Sequence, residues 1–352
     1  MMVLCSLKRF IVCSIFLLSL FSQDGFCQNN LEKSIDSLIG VKRPRFFNGV
    51  VLISKNGSAI YEKSHGYNDL TKKNILKIDD QFLIGSISKQ FTATLVLKEI
   101  QAGTIQAQQT IRYYLPEFKQ RWADSITVQQ LLNHTSGITD WDKNLTSEPG
   151  SKFSYSNINY AILGKIIEKT SGQTYAALTA RLFESCEMNS STVPPGPGRK
   201  SNNKKLVKGH AETSDDKYQG ENILDLLDLP MMGVPASGMI STAGDLAKWM
   251  DCLHNGKLLA DSTYQMMITN AVKRPHRWGE LKYADGIQVD HLDGIAELSM
   301  SGYVPGYIST MIYYPKTKVS MVILENISPS PSDMNRVFYF HDQIRQIVRN
   351  SY

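Results

Sequence analysis

Three polar stretches of this 352-residue chain have residue types and spacings that could carry acyl chemistry. The first is Gly85-Ser86-Ile87-Ser88-Lys89. A serine hydroxyl is a poor nucleophile until a base takes its proton, and an amine kept neutral by burial is such a base. Ser86 and Lys89 are three residues apart, which makes them neighbours on a helix. A hydroxyl at a helix start also lies at the positive end of the helix dipole, which favours an anion. The same spacing recurs at Ser201/Lys204 and Ser214/Lys217, but there the surroundings are polar and the lysine would stay solvated and protonated. Only Ser86 leads into an apolar run: Phe91, Ala93, Leu95, Val96, Leu97 and Ile100. Taken alone, the stretch reads equally well as a helix cap followed by a surface lysine.

The second stretch is Tyr155-Ser156-Asn157. A phenol beside an ammonium should have a lowered pKa and could act as a base, while the amide of Asn157 could orient the lysine or a substrate carbonyl. Its plainer reading is capping at a loop-to-helix junction. The third stretch is Met300-Ser301-Gly302-Tyr303. Gly302 would let a ligand approach a strand edge, and the Tyr303 amide could help hold an oxyanion. Otherwise it is a turn feeding an edge strand. His134 raises the question of a Ser-His-Asp site, but no Gly-x-Ser-x-Gly elbow surrounds a candidate serine. Its side chain is expected to bond nearby backbone.

The elements that would position these groups are legible. Val50 to Ile53, Lys55-Asn56-Gly57-Ser58 and Ala59 to Tyr61 read as a hairpin with an Asn-Gly turn. A second hairpin runs from Tyr307 to Tyr314, turns at Pro315 to Lys318, and returns from Val319 to Leu324. A last helix from about Ser332 places Val337, His341, Ile344 and Val348 on one face. Hairpins at both ends predict one antiparallel sheet built from the two chain ends. Between them, roughly from 100 to 260, a mostly helical insertion is expected: Val128 to Leu132, Ile158 to Thr170, Tyr175 to Phe183, and a helix capped at Thr242. Pro194 to Asn222 reads as loop.

Composition narrows the function classes. The net charge of +5 is spread out, without a basic run for nucleic acid. No Cys/His spacing suggests a metal site, and no cofactor is expected. Residues 1–27 read as a secretory leader: Lys8 and Arg9, an apolar core from Phe10 to Phe21 too short to span a membrane, and small residues at Gly25 and Cys27. Cleavage and export to the periplasm or medium are expected, with lipidation at Cys27 or an uncleaved anchor as alternatives. Residues 28–352 are then expected to form a single catalytic domain. Beyond the leader only Cys186 and Cys252 remain, and sequence does not separate a disulfide from two buried thiols.

In their order along the chain, the three stretches resemble the motifs of the serine β-lactamase and penicillin-binding protein superfamily. More specifically they are similar to its class C β-lactamase branch, with related esterases and D-alanyl-D-alanine carboxypeptidases. Leu131 to Ile138, Pro149-Gly150 with Phe153, and Pro235 to Leu246 also resemble family segments, so the likeness runs from about 48 to 326. It implies an α/β (α+β) sandwich, an antiparallel sheet flanked by helices. It implies that Ser86 is the acylated nucleophile, that Lys89 helps activate it, and that Tyr155 is a base for acylation and deacylation. Asn157 would bind substrate, and the amides of Ser86 and Tyr303 would form the oxyanion hole, with Met300, Ser301 and Gly302 alongside. A monomer acting on a small-molecule or peptide substrate is expected.

One departure bears on the substrate. The third motif usually begins with Lys or His, and here Met300 stands there. A charge-assisted bond to a substrate carboxylate contributes roughly 1.5–3 kcal/mol, which Met300 cannot supply. Met300 therefore favours an esterase or amidase on uncharged acyl groups over a D,D-carboxypeptidase or β-lactamase. It also leaves a catalytically silent envelope binding protein as a reading from another class.

Overall fold

Asn56 and Gly57 both adopt positive φ, 51° and 78°, the primed-turn geometry whose twist matches a tight hairpin. That turn joins β1 (Gly49–Lys55) to β2 (Ser58–His65), as the Asn-Gly dipeptide predicts. The computed structural model describes residues 30–194, 205–213, 217–220 and 233–352. The expected leader, residues 1–27, lies outside them, as does Cys27.

The remaining strands, in chain order, are short pairs followed by the long ones. The short strands are β3 (Tyr67–Asp69), β4 (Asn74–Ile75), β5 (Phe82–Leu83), β6 (His210–Glu212), β7 (Tyr218–Gly220) and β8 (Ile240–Ser241). Then come β9 (Val272–His276), β10 (Gly279–Tyr283), β11 (Gln288–Asp290), β12 (Glu297–Val304), β13 (Tyr307–Tyr314), β14 (Val319–Glu325) and β15 (Ile327–Ser328). Eight of them form one antiparallel sheet in the order β2-β1-β14-β13-β12-β11-β10-β9. The pairing of Val50 with Leu324 and of Ile53 with Met321 joins the two ends of the chain, as expected. β13 and β14 are buried along their whole length, so their side chains face covered surfaces on both sides.

The expected helices are present at Val128–Leu132, Asn157–Ser171, Tyr175–Ser185 and Ala243–His254. Thr242 accepts from the Asp245 amide, and Thr127 and Gln130 form a full capping box. The helix Ser88–Gln101 differs from these. Every side chain from Ser88 to Leu97 is buried, so it has no solvent face over its first ten residues. A helix covered all round belongs to the centre of a core, and its polar residues need internal partners. They have them: Ser88 Oγ accepts from the Met239 amide at 3.1 Å, and Gln90 Oε1 accepts from Trp249 Nε1 at 2.6 Å. Thr92 Oγ1 donates to the Pro235 carbonyl at 2.7 Å.

Two expectations need correction. The stretch Pro194 to Asn222 holds strands β6 and β7, and β6 runs parallel to β15. Three-residue strands carry too little alternation to be told from loop. The rest of that stretch falls largely outside the described residues. The sheet also extends through β9 and β10, whose charged residues at Lys273, Arg274, Glu280 and Lys282 hide any apolar pattern.

The chain divides into two compact units. The larger, residues 48–338, contains all the strands. The smaller holds residues 30–47 and 339–352. In the smaller unit, a helix over 30–39 buries Leu31, Ile35 and Ile39, and the helix Tyr339–Ser351 buries Phe340, Ile344 and Val348. The Arg45 guanidinium lies 4.7 Å from the Phe340 ring centroid, and Phe47 meets that ring edge-on at 5.4 Å.

Cys186 and Cys252 form a disulfide with a Cα separation of 5.7 Å, closing a loop of 66 residues. Constraining a loop of that length in the unfolded chain contributes about 4 kcal/mol. Reduction, or Cys186→Ala with Cys252→Ala, is expected to lower the melting temperature by about 5–10 °C, measured by differential scanning calorimetry.

Candidate active site

Ser86 sits in a 3-10 turn, Gly85–Ile87, which runs directly into the helix Ser88–Gln101. A 3-10 turn stacks residues i and i+3 over one another, more closely than an α-helix would. Lys89 Nζ is therefore brought to 3.1 Å from Ser86 Oγ. Ser86 precedes the α-helix proper, a small change from the helix start that the spacing suggests.

The turn is fixed to the sheet. The Ile84 amide donates to the Met239 carbonyl at 3.0 Å, and Ser309 Oγ of β13 donates to the Ile84 carbonyl at 2.7 Å. Opposite Ser309 in the register lies Gly302 of β12. A Cβ at Gly302 would stand 2.3 Å from the Ile84 oxygen and 3.0 Å from the Ser86 nitrogen, so no side chain fits. A Cβ at Gly85, where φ is +54°, would lie 3.2 Å from the Tyr303 nitrogen. These contacts bring the backbone of Ser86 and of Tyr303 to the same spot. That closeness needs glycine on both sides.

Lys89 has no exposed surface. Its amine donates to Asn157 Oδ1 at 2.7 Å and to the Ala236 carbonyl at 2.8 Å. No carboxylate pairs with it among the described residues. Burial alone pulls its pKa well below the ordinary lysine value, because a desolvated ammonium is costly. A neutral amine has two N–H bonds and one lone pair. In the neutral form the two neighbouring oxygens would take the N–H bonds and leave the lone pair to accept from Ser86 Oγ. Asn157 opens the helix Asn157–Ser171 but caps nothing, since the cap position is Ser156 and has no side-chain cap bond.

Tyr155 Oη lies 2.6 Å from Ser86 Oγ, and its ring is 39% exposed. Its pKa is not lowered as the sequence suggests. Burial of the phenol pushes it up to about 12, against smaller opposite effects of the Ser86 hydrogen bond and the Arg274 charge. The reason is burial: the lost hydration costs the phenolate more than the Ser86 hydrogen bond and the Arg274 charge return. Tyr155 thus keeps its proton, and a neutral Lys89 would let the phenol donate to Ser86 and Ser86 to Lys89.

These groups open into a cleft of about 400 Å³ lined by Ser86, Tyr155, Asn157, Met300, Ser301 and Tyr303. Met300 is 2% exposed at the cleft edge, and Ser301 Oγ lies 3.3 Å from Thr310 Oγ1. Of the opposite wall, the sequence offers only Arg274, with Lys282, as a cation that could compensate for Met300, and does not place it. That wall contains Arg274, His276 and Arg277 from β9 and the turn after it, with Met334 and Phe338. The Arg274 guanidinium stacks 5.2 Å from the Phe153 ring centroid, and no carboxylate pairs with it among the described residues. Arg277 lies 4.0 Å from the Phe338 ring centroid. Nothing local in the sequence marks these arginines, because the long sheet brings them to the site. The Ala236 carbonyl was missed too, as a backbone group leaves no residue-type signal.

The sequence matches the Beta-lactamase family model over residues 40–346. It is 26% identical over 319 residues to penicillin-binding protein 4* of Bacillus subtilis, covering 80% of this chain and 68% of that protein. It is 25% identical over 329 residues to protein flp of Staphylococcus aureus, covering 85% and 64%. The chain thus spans about two thirds of the length of these relatives. Among solved structures, D-amino acid amidase of Ochrobactrum anthropi superposes with a TM-score of 0.78 at 21% identity, covering 92% of this chain and 99% of the other. By sequence match over most of its length, and with the mixed α/β fold of its structural neighbours, this chain belongs to the beta-lactamase family.

Proposed function

We propose that this chain is an exported serine hydrolase that cleaves amide or ester substrates through an acyl-enzyme on Ser86. The observation that carries the reading is the buried Lys89 amine, which has no carboxylate partner among the described residues and lies 3.1 Å from Ser86 Oγ. A binding protein has no use for so costly a buried amine. In the proposed first step the Ser86 proton passes to Lys89 as Oγ attacks the substrate carbonyl carbon. The oxyanion develops beside the backbone amides of Ser86 and Tyr303. The carbon–leaving group bond then breaks, and the leaving atom takes the proton of Tyr155 Oη. Lys89 returns its proton to Tyr155, directly or through the site. Water attacks the ester in the second step, and the same groups run in reverse order. Amide chemistry suits the structural likeness to a D-amino acid amidase. The disulfide suits export, since such bonds persist in oxidising compartments.

The cationic wall changes the substrate reading. Met300 alone favours an uncharged acyl group, yet Arg274 and Arg277 line the same cleft. The Arg274 guanidinium, stacked on Phe153 with no carboxylate partner among the described residues, is prepared for an anionic ligand group. The proposed substrate is therefore an amide or ester with a carboxylate near the scissile bond. This brings the carboxypeptidase and β-lactamase alternatives closer than Met300 by itself would allow.

Four outcomes follow. A fluorophosphonate probe should label the protein stoichiometrically, and Ser86→Ala should abolish labelling, read by intact-mass spectrometry; labelling that survives would reassign the nucleophile. Lys89→Ala should lower kcat/KM for a p-nitrophenyl ester by about 10²–10⁴-fold. In the wild type, kcat/KM should rise with pH through a single group titrating below the ordinary lysine value, because the neutral amine is the active form. No fall is expected up to about pH 10, since Tyr155 keeps its proton there. Finally, Arg274→Gln should cut kcat/KM for a p-nitrophenyl succinate monoester about tenfold while leaving p-nitrophenyl butyrate within about twofold. Equal losses on both would remove Arg274 from substrate recognition.

A further inference from the structure

His134 is fully buried next to the cleft but touches neither Ser86 nor Lys89 by hydrogen bond. Its backbone is in the left-handed region, with φ of 59°, a conformation that a non-glycine residue adopts only when its surroundings hold it. Two bonds show what it holds. The His134 carbonyl accepts from the Ser154 amide at 2.7 Å, and its Nδ1 accepts from the Ser156 amide at 3.2 Å. Residues 154 and 156 flank Tyr155, so both neighbours of the tyrosine hang from one histidine. The imidazole also faces the Tyr155 ring at a centroid distance of 4.5 Å, tilted by 39°. Behind it stand Tyr283 at 4.9 Å and Tyr160 at 5.2 Å.

An Nδ1 that accepts a hydrogen bond puts the proton on Nε2, and Nε2 has no hydrogen-bond partner. A buried donor left unpaired costs free energy, so packing and helix capping alone are a weak reason for this residue type. An apolar residue would fill the space without that cost. Burial, with a smaller effect from the Arg274 guanidinium, pulls its pKa well below the ordinary histidine value, which favours the neutral ring. A protonated ring would lose the Nδ1 acceptor and release the Ser156 amide.

We infer that His134 is a positioning residue for the reaction: through its carbonyl and Nδ1 it sets the backbone on both sides of Tyr155, and through its ring it fixes the phenol against Ser86. Its role is to hold Tyr155 Oη at the 2.6 Å separation from Ser86 Oγ that proton donation requires. The inference rests on the proposed part of Tyr155 in the mechanism.

A double-mutant cycle on the full chain tests it, with ester turnover and fluorophosphonate labelling rates as readouts and melting temperature measured for every variant. His134→Leu keeps the bulk and removes the acceptor. His134→Asn keeps an acceptor and tolerates the left-handed backbone. The leucine variant should lose kcat about tenfold or more with KM within about twofold, and the asparagine variant should recover much of the loss. In a Tyr155→Phe background, His134→Leu should change kcat by less than about twofold, because the group it positions is gone. An equal loss in both backgrounds would overturn the inference and leave the Ser86 reaction standing. A Tyr155→Phe enzyme with undiminished kcat would overturn it together with the proposed role of Tyr155. A leucine variant with wild-type kcat would also overturn it. Should His134→Leu fail to fold, the asparagine variant decides: its loss must vanish in the Tyr155→Phe background.

Discussion

The site depends on one costly placement, an amine buried without a counter-ion. Lys89 is excluded from solvent, its hydrogen-bonding partners are neutral oxygens, and no acid shares its burial among the described residues. In water its proton would be held firmly, and Ser86 would have no base. Inside the core the charged form loses its hydration and gains no compensating carboxylate, so the neutral amine is favoured. Everything around the site can be read as a means of sustaining that state. The helix Ser88–Gln101 is covered on all sides over its first turns, and its other polar side chains there are tied to backbone, to Trp249 or to Tyr175.

The same placement governs Tyr155. A charged lysine would draw the phenol toward its anion, and the tyrosine would then be the base. Burial keeps the proton on the phenol, so its hydroxyl can act as a donor. With a neutral amine the hydrogen bonds Tyr155–Ser86–Lys89 would run from phenol to amine, the direction that the proposed reaction of Ser86 needs. The family likeness points to Tyr155 as the base, and burial argues for the reverse division of labour in the free protein.

The sheet supplies the rest. Gly302 and Gly85 let two backbone segments meet where an oxyanion would form, and at Gly302 a methyl group would collide with the Ile84 carbonyl. The far edge of the sheet brings Arg274 and Arg277 to the same cleft as Met300, so its lining mixes apolar and cationic groups.

Sequence by itself determined the elements and the motif residues. The Asn56-Gly57 turn, the two hairpins, the capped helices and the three motifs are local patterns, and local patterns follow from φ/ψ preference and side-chain period. The i to i+3 spacing put Ser86 beside Lys89 for the same reason. Tertiary structure decided what those patterns leave open. It paired Cys186 with Cys252, since pairing depends on where two helices end and not on spacing. It brought β9 to the cleft, a placement that the charged side chains of an edge strand do not signal. It also fixed the protonation order of Lys89 and Tyr155. That order is set by the amount of water and charge within a few ångströms, and such neighbours come from parts of the chain more than sixty residues apart, as the Lys89–Asn157 and Lys89–Ala236 bonds do.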